Sequence, residues 1–301
     1  MDKLFRWLSG KKKTPTPAQE VANTAPLSEQ QIQAIVNSQN PRFDLQQLIA
    51  SCGQSVGKQR ELNEDSLLAI TTTMAGNTGN LPFGLYIVAD GMGGHQFGEV
   101  ASNAAIRTVA GYVLRKFHPY LFHIKASTMD ESFQEIMQAA VNEAQRAIQR
   151  EAPGSGTTLT AALVLGQQIT IAHVGDSRAY FVYPDGRIEL LTRDHSLVRR
   201  LEELGHITHD EAANYPHRNV LYRALGQGEV LDPDVFTIGF PQPGYLMICS
   251  DGLWGVLTEQ DLARSITEAT SMQRACQNLV NAANAAGGPD NISVVLAQLI
   301  G

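Results

Sequence analysis

Apolar residues along this chain fall into two rhythms. Short, nearly continuous runs bounded by Gly, Asp or Pro predict buried strands over Leu67–Thr72, Gly84–Ala89, Thr158–Leu165, Ile169–Val174, Ala179–Tyr183, Val235–Ile238, Tyr245–Cys249 and Ile292–Leu299. Longer stretches with apolar positions three and four apart predict helices over Glu99–Lys116, Met129–Glu151, Glu259–Ala269 and Met272–Ala286. Tyr183, Pro184, Asp185 and Gly186 carry a turn signature between two runs and predict a hairpin. Helices come in pairs between groups of strands, not one per strand. That order argues against a doubly wound parallel sheet and predicts an α+β fold of antiparallel sheets flanked by helices. No fixed-period repeat interrupts the pattern.

The N-terminal part reads differently. Residues 1–26 form an arm: Lys11, Lys12 and Lys13 are followed by Thr14, Pro15, Thr16 and Pro17, a basic cluster and a stiff extended spacer. Its apolar patch, Leu4, Phe5, Trp7 and Leu8, is too short for stable membrane anchoring and stands before the lysines, the reverse of a secretory leader. Residues 27–49 are expected to be a helical lead-in, from Ile32, Ile35 and Val36, ending at the breaker Asn40-Pro41. The catalytic region is expected over 50–301, with an insertion at about 193–228 that has few strand signals and collects four of the eight histidines together with Arg193, Arg199, Arg200 and Arg218.

Composition narrows the classes. In 301 residues, 43% are hydrophobic, enough for a sizeable core. The formal charge is −7, the wrong sign for gripping a nucleic-acid backbone. The three cysteines, Cys52, Cys249 and Cys276, are widely spaced, which excludes a CxxC zinc site and a disulfide framework and fits a reducing, cytoplasmic compartment. No run of apolar residues is long enough for a transmembrane helix.

The chemistry lies in how the apolar strands end. One run ends at Asp90 followed by Gly91, a second at Asp176 followed by Ser177, a third at Asp251 followed by Gly252. Asp290 stands where a last strand begins, and if that strand runs antiparallel, its start shares their edge. Glu64 and Asp65 open a further strand. Six carboxylates on one edge repel and need compensating charge. With no Cys or His at these strand ends, the donors are all oxygen, which points to Mg²⁺ or Mn²⁺ over zinc. Gly91 can add a backbone carbonyl, since glycine allows close approach. Arg60, four residues before Glu64, is the fork that a phosphate oxygen pair calls for. Two such cations and an arginine are equipment for in-line attack of water on phosphorus.

The segments RELNEDS (60–66), VADGMGGHQFGE (88–99), GSGTT (154–158), AHVGDSRAY (172–180), LTRDH (191–195), CSDGLWGVL (249–257) and GGPDNIS (287–293), in this order, resemble the metal-dependent type-2C serine/threonine protein phosphatases in their bacterial form. The resemblance covers residues 50–300. It implies a β-sandwich with helix pairs on both outer faces and a two-metal centre at one end. By position, Asp90 would bridge both metals and the Gly91 carbonyl would hold one of them. Asp251 and Asp290 would hold the other, Glu64 and Asp65 would serve the Gly91 side directly or through water, and Arg60 would clamp the phosphate. Asp176 would help a weaker third metal, but Gly255 stands where many relatives carry an acid. Met92 stands where eukaryotic members place a histidine, so His95 or a water is expected to protonate the leaving group. The family's variable flap corresponds to the 193–228 insertion, expected to sort phosphopeptides by charge. Phosphoproteins, a serine/threonine kinase among them, are the expected partners of a monomer.

Other readings are weaker. Gln96 breaks the glycine pattern of a dinucleotide loop begun by Gly91 and Gly93, and Ala179 spoils the nucleophile elbow begun by Gly175. A non-catalytic binding module of the same fold would lack the carboxylates, and Asp90, Asp251 and Asp290 are all present. A small-molecule phosphomonoesterase would share the site. Because the arm shows no core periodicity, its removal (residues 1–26) should leave turnover of a small aryl phosphate unchanged; an inactive but folded truncation would move the boundary.

Overall fold

The structure is a computed structural model that describes residues 45–76, 79–93, 97–122, 130–208, 211, 215, 220–228 and 231–301. The arm and the lead-in as far as residue 44 lie outside these residues, as do His95, His209, His217 and Arg218.

Among the described residues, eleven strands form two antiparallel sheets. One runs β1 (Gln47–Ser55), β11 (Ile292–Ile300), β10 (Tyr245–Cys249), β7 (Arg178–Val182), β8 (Ile188–Leu190). The other runs β2 (Asp65–Gly76), β3 (Gly79–Met92), β5 (Leu159–Leu165), β6 (Gln168–Val174), β9 (Asp234–Gly239), and β4 (Gly156–Thr157) pairs with the end of β3. Every strand predicted from an apolar run is present. Strand β1 was not predicted, and its start at Gln47 corrects the end of the helical lead-in: residues 47–49 are strand. Its alternating, half-exposed pattern gives no continuous apolar run to read. The expected hairpin joins β7 to β8, with the Gly186 amide donating to the Tyr183 carbonyl at 3.0 Å.

Apolar runs appear because the central strands are buried on both faces. Along β3, Leu85, Ile87 and Ala89 face a helix layer, while Tyr86 and Val88 face the opposite sheet. Along β11, Val294 and Leu296 face helices, while Val295 and Ala297 face the sandwich interior. Three stacked cores follow, and with them four layers. Helices α1 (Gly98–Phe122) and α2 (Phe133–Glu151) cover the β3 sheet. Past a short α3 (Leu197–Glu203) and a one-turn α4 (Asp251–Trp254), α5 (Glu259–Thr267) and α6 (Met272–Ala285) cover the β10–β11 sheet. Helix α2 starts where Ser132 and Glu135 form a reciprocal capping box, and α5 starts at the equivalent pair Thr258 and Asp261. Among the described residues no helix is long and apolar enough to cross a membrane.

Phe117 is fully buried, with its ring 5.6 Å from Phe83 and 5.7 Å from Phe133, where α1, α2 and β3 meet. Phe117→Ala should cost about 3–5 kcal/mol in urea denaturation. A loss under about 1 kcal/mol would show that the three elements do not share one core there.

Candidate metal centre

The sheet register gathers the acidic residues. Asp65 and Asp90 are direct partners across the β2–β3 ladder. Strand β10 ends at Cys249, so Asp251 opens α4 at the same edge, and antiparallel β11 starts there, just after Asp290. Strand β6 ends at Val174, and Gly175 turns the chain into Asp176. Gly175 has φ 106°, and a Cβ there would stand 2.6 Å from the Thr158 side chain, so only glycine fits.

Neutral groups fix the backbone that carries these charges. The Asp90 amide donates to Thr158 Oγ1 at 2.9 Å, and its carbonyl accepts from the Thr158 amide and from Thr157 Oγ1, both at 2.8 Å. Ser250 Oγ donates to Asp65 Oδ2 at 2.7 Å. Asn291 accepts the Glu64 amide and donates to the Val56 and Leu62 carbonyls, each at 2.8 Å, which pins the whole Arg60–Glu64 loop beside Asp290. Gly91 donates to the Glu64 carbonyl at 3.2 Å, and a Cβ on it would stand 2.2 Å from the Gly98 carbonyl oxygen. The residues Thr158, Ser250 and Asn291 were not predicted as site residues. Each lies in a motif quoted above, Ser250 and Asn291 beside a carboxylate and Thr158 in a segment with none, but carries no charge to mark it.

The carboxylates oppose one another. Burial, then Asp65, Asp251, Asp176 and Asp290, push Asp90 well above the usual carboxylate range. Burial raises Asp65 to about 7 against the hydrogen bonds of Ser250 and Ser293. It raises Asp251 to about 6, helped by Asp290, and Asp176 strongly, helped by Asp251 and Asp194. Glu64 is raised by burial and by Glu99. Asp65 Oδ1 and Asp251 Oδ1 are buried and lack a hydrogen-bond partner among the described residues. Such oxygens are costly beside like charge. Their all-oxygen chemistry, together with Gly91, where only a side-chain-free backbone fits, suits a hard divalent cation. Among the described residues, no three acidic, His or Cys side chains form a finished cage around one point.

Arg60 stands at the rim, half exposed, and donates from Nη2 to Asp290 Oδ2 at 2.8 Å. Gly255 donates its amide to the Asp251 carbonyl, and a Cβ there would lie 2.7 Å from that oxygen. The position therefore cannot take an acidic side chain unless the turn carrying Asp251 moves. In the insertion, Arg193, Arg199 and Arg200 pair with Glu203, and Arg199 also with Glu202. Arg223 pairs with Asp234. The described flap arginines thus share few carboxylates, with Arg193, Arg199 and Arg200 converging on Glu203. His195 is buried, with Nδ1 accepting from the Gly175 amide at 3.1 Å and Nε2 3.2 Å from Asp234 Oδ2.

This architecture and edge of carboxylates define a two-sheet, metal-dependent hydrolase, and known proteins resolve the class. Residues 52–286 match the family model described as protein phosphatase 2C. The serine/threonine phosphatase stp of Listeria welshimeri is 35% identical over 243 residues, 80% of this chain and 92% of that one. The crystal structure of the Mycobacterium tuberculosis serine/threonine phosphatase PstP/Ppp superposes with a TM-score of 0.69 at 30% identity, over 85% of this chain and 100% of that one. A PstP catalytic domain in complex with 2 manganese ions superposes with a TM-score of 0.67 at 29% identity, over 85% of this chain and 100% of that one. The chain belongs to the protein phosphatase 2C family, the metal-dependent serine/threonine phosphatases.

The shifted carboxyls set the sign of a pH effect. In an unfolded chain an aspartate ionises near 3.9. In the fold, Asp251 and Asp65 ionise at about 6 and about 7, and Asp90 and Asp176 are raised as well. Between about pH 4 and pH 7 these carboxyls hold more protons in the folded chain than in the unfolded one, so they lower stability as pH rises. Buried His173, whose imidazole is pushed down to about 3 by burial, has the opposite effect. In excess EDTA, the urea midpoint should fall between about pH 5 and pH 7.5, and Asp65→Asn should flatten the fall. The same slope in wild type and Asp65→Asn would contradict the assignment.

Proposed function

We propose that this chain removes phosphate from phosphoserine and phosphothreonine in proteins, using two Mn²⁺ or Mg²⁺ ions held by Asp90, Asp251, Asp290, Glu64, Asp65 and the Gly91 carbonyl. The observation that carries the reading is the pair of buried, partnerless carboxylate oxygens on Asp65 and Asp251, within a cluster whose members raise one another's proton affinity. When bound, the cations polarise the phosphate and supply a nucleophilic water at neutral pH. The protein's own work is positional. Thr158 holds the Asp90 backbone from both sides, and Asn291 holds the loop that brings Arg60 to the rim. Arg60 spends one N–H on Asp290 and keeps its other donors for phosphate oxygens. Protonation of the leaving serine oxygen is assigned to His95 or to water. Asp176 serves a weaker third ion, with no carboxylate from position 255.

A groove of about 860 Å³ between β2 and α1 borders the centre at Asp65, open and lined by polar residues such as Asn63, Glu99, Asn103 and Arg107. Small-ligand sites are typically enclosed and largely apolar. The three free cysteines fit a reducing, cytoplasmic setting.

The test is hydrolysis of p-nitrophenyl phosphate with Mn²⁺, with Mg²⁺ and in excess EDTA, followed by a panel of phosphopeptides against small phosphate esters. Turnover should need the cation and favour the peptides; equal turnover in EDTA would end the metal reading. Asp251→Asn and Asp290→Asn should stay folded and lose more than the about 10–100-fold that removing an outer metal partner costs. Arg60→Ala should raise KM for a phosphopeptide about tenfold or more while Mn²⁺ affinity holds. An unchanged KM would remove Arg60 from substrate binding.

A further inference from the structure

Three of the sequence segments quoted above carry residues with no part in the proposed chemistry: Arg178, Asp194 and Trp254. They meet at one place. Arg178 donates to Asp194 from Nε at 3.0 and 3.2 Å and from Nη2 at 2.7 Å, a fork on a carboxylate that is 8% exposed. Its Nη1 donates to the hydroxyl of buried Tyr180 at 3.1 Å. The guanidinium carbon lies 3.5 Å from the centre of the Trp254 ring. Trp254 closes α4, the turn opened by Asp251, and its indole Nε1 donates to the Asp176 carbonyl at 3.0 Å.

The arrangement is held from two directions. Asp194 takes the chain after Asp176, through Arg178. The next residue, His195, takes the chain before it, donating its amide to the Gly175 carbonyl at 2.7 Å and accepting the Gly175 amide at 3.1 Å. Between these grips the Asp176 carbonyl faces the Trp254 N–H. A planar guanidinium under an indole fixes the ring's plane, and a ring fixed in plane aims its single donor.

We propose that Trp254, held flat by the Arg178–Asp194 pair, is a positioning residue that latches the Asp176 turn to the Asp251 turn and so sets the spacing of those two carboxylates. The proposal goes beyond the phosphatase reading and rests on its assignment of Asp176 and Asp251 as metal ligands. Trp254→Phe keeps a ring over Arg178 and removes only the donor. Asp194→Asn keeps an acceptor and removes the charge and one arm of the fork.

The experiment uses the full chain in two arms. In the first, hydrogen exchange in EDTA follows the backbone amides of residues 175–177. Both variants should speed exchange there about three- to tenfold, the weight of one neutral hydrogen bond, while β5 amides stay unchanged. In the second, Mn²⁺ is titrated by calorimetry and by tryptophan emission in a Trp7→Phe background, which leaves Trp254 as the sole emitter of the two tryptophans. Trp254 emission should change in the range of the weak Mn²⁺ site. Trp254→Phe should raise that site's Kd about three- to tenfold and leave the tight pair alone. Unchanged exchange in both variants would overturn the latch, whatever the ion does. Faster exchange with an unaltered weak Kd would overturn its positioning role. Faster exchange with no weak phase in the wild type, or a weak phase that survives Asp176→Ala, would support the latch and overturn the metal reading of Asp176.

Discussion

Everything at the working edge of this molecule answers to the repulsion among its buried carboxylates. Asp65 and Asp90 face each other across a strand pair, and Asp176, Asp251 and Asp290 each raise the proton affinity of a neighbour. Left to themselves such groups would part or take up protons. The fold prevents the parting by holding the backbone rather than the charges. Thr158, Ser250, Ser102 and Asn291 bind the amides, carbonyls and one carboxylate oxygen around them with neutral hydrogen bonds. Free energy from the three apolar cores holds the repelling groups in place, and the charge of a divalent cation would relieve the repulsion.

That division explains why the strands are so apolar. A strand that must deliver a charge at its end, against repulsion, has to be fixed along its length. Strands β3 and β11 are packed on both faces, so neither can slide by one residue without exchanging the contents of two cores. Register, set far from the site, decides where the carboxylates stand.

The same logic explains what was legible in the sequence. Doubly buried strands read as unbroken apolar runs and were predicted, closely for β5, β6 and β10, but for β3 only over the Gly84–Ala89 part of Gly79–Met92. The charged ends of those runs drew attention to Asp90, Asp176 and Asp251, and the antiparallel partner supplied Asp290. Strand β1 escaped because it lies at a sheet edge with one face half exposed, which dilutes the apolar signal below that of a loop. The neutral scaffold escaped because a serine, threonine or asparagine in sequence looks the same whether it holds a catalytic loop or caps a turn. The flap's arginines were visible as charges, but their glutamate partners sit a few positions on and mean something only once α3 has formed.

Thr158 touches both ends of a short span. It binds the Asp90 amide and carbonyl, and its hydroxyl lies 2.7 Å from Ser177 Oγ, next to Asp176. The gap between these two acids is therefore measured out by one residue at the head of β5, inside the core sheet. The insertion reaches this measure at its root, where Asp194 and His195 grip the turn, and again at its far end, where Leu225 and Thr157 exchange backbone hydrogen bonds at 2.9 and 3.0 Å. Descendants of this chain are free to rewrite the insertion between these two ends in search of new targets, while the ends and the centre they serve are inherited as one piece.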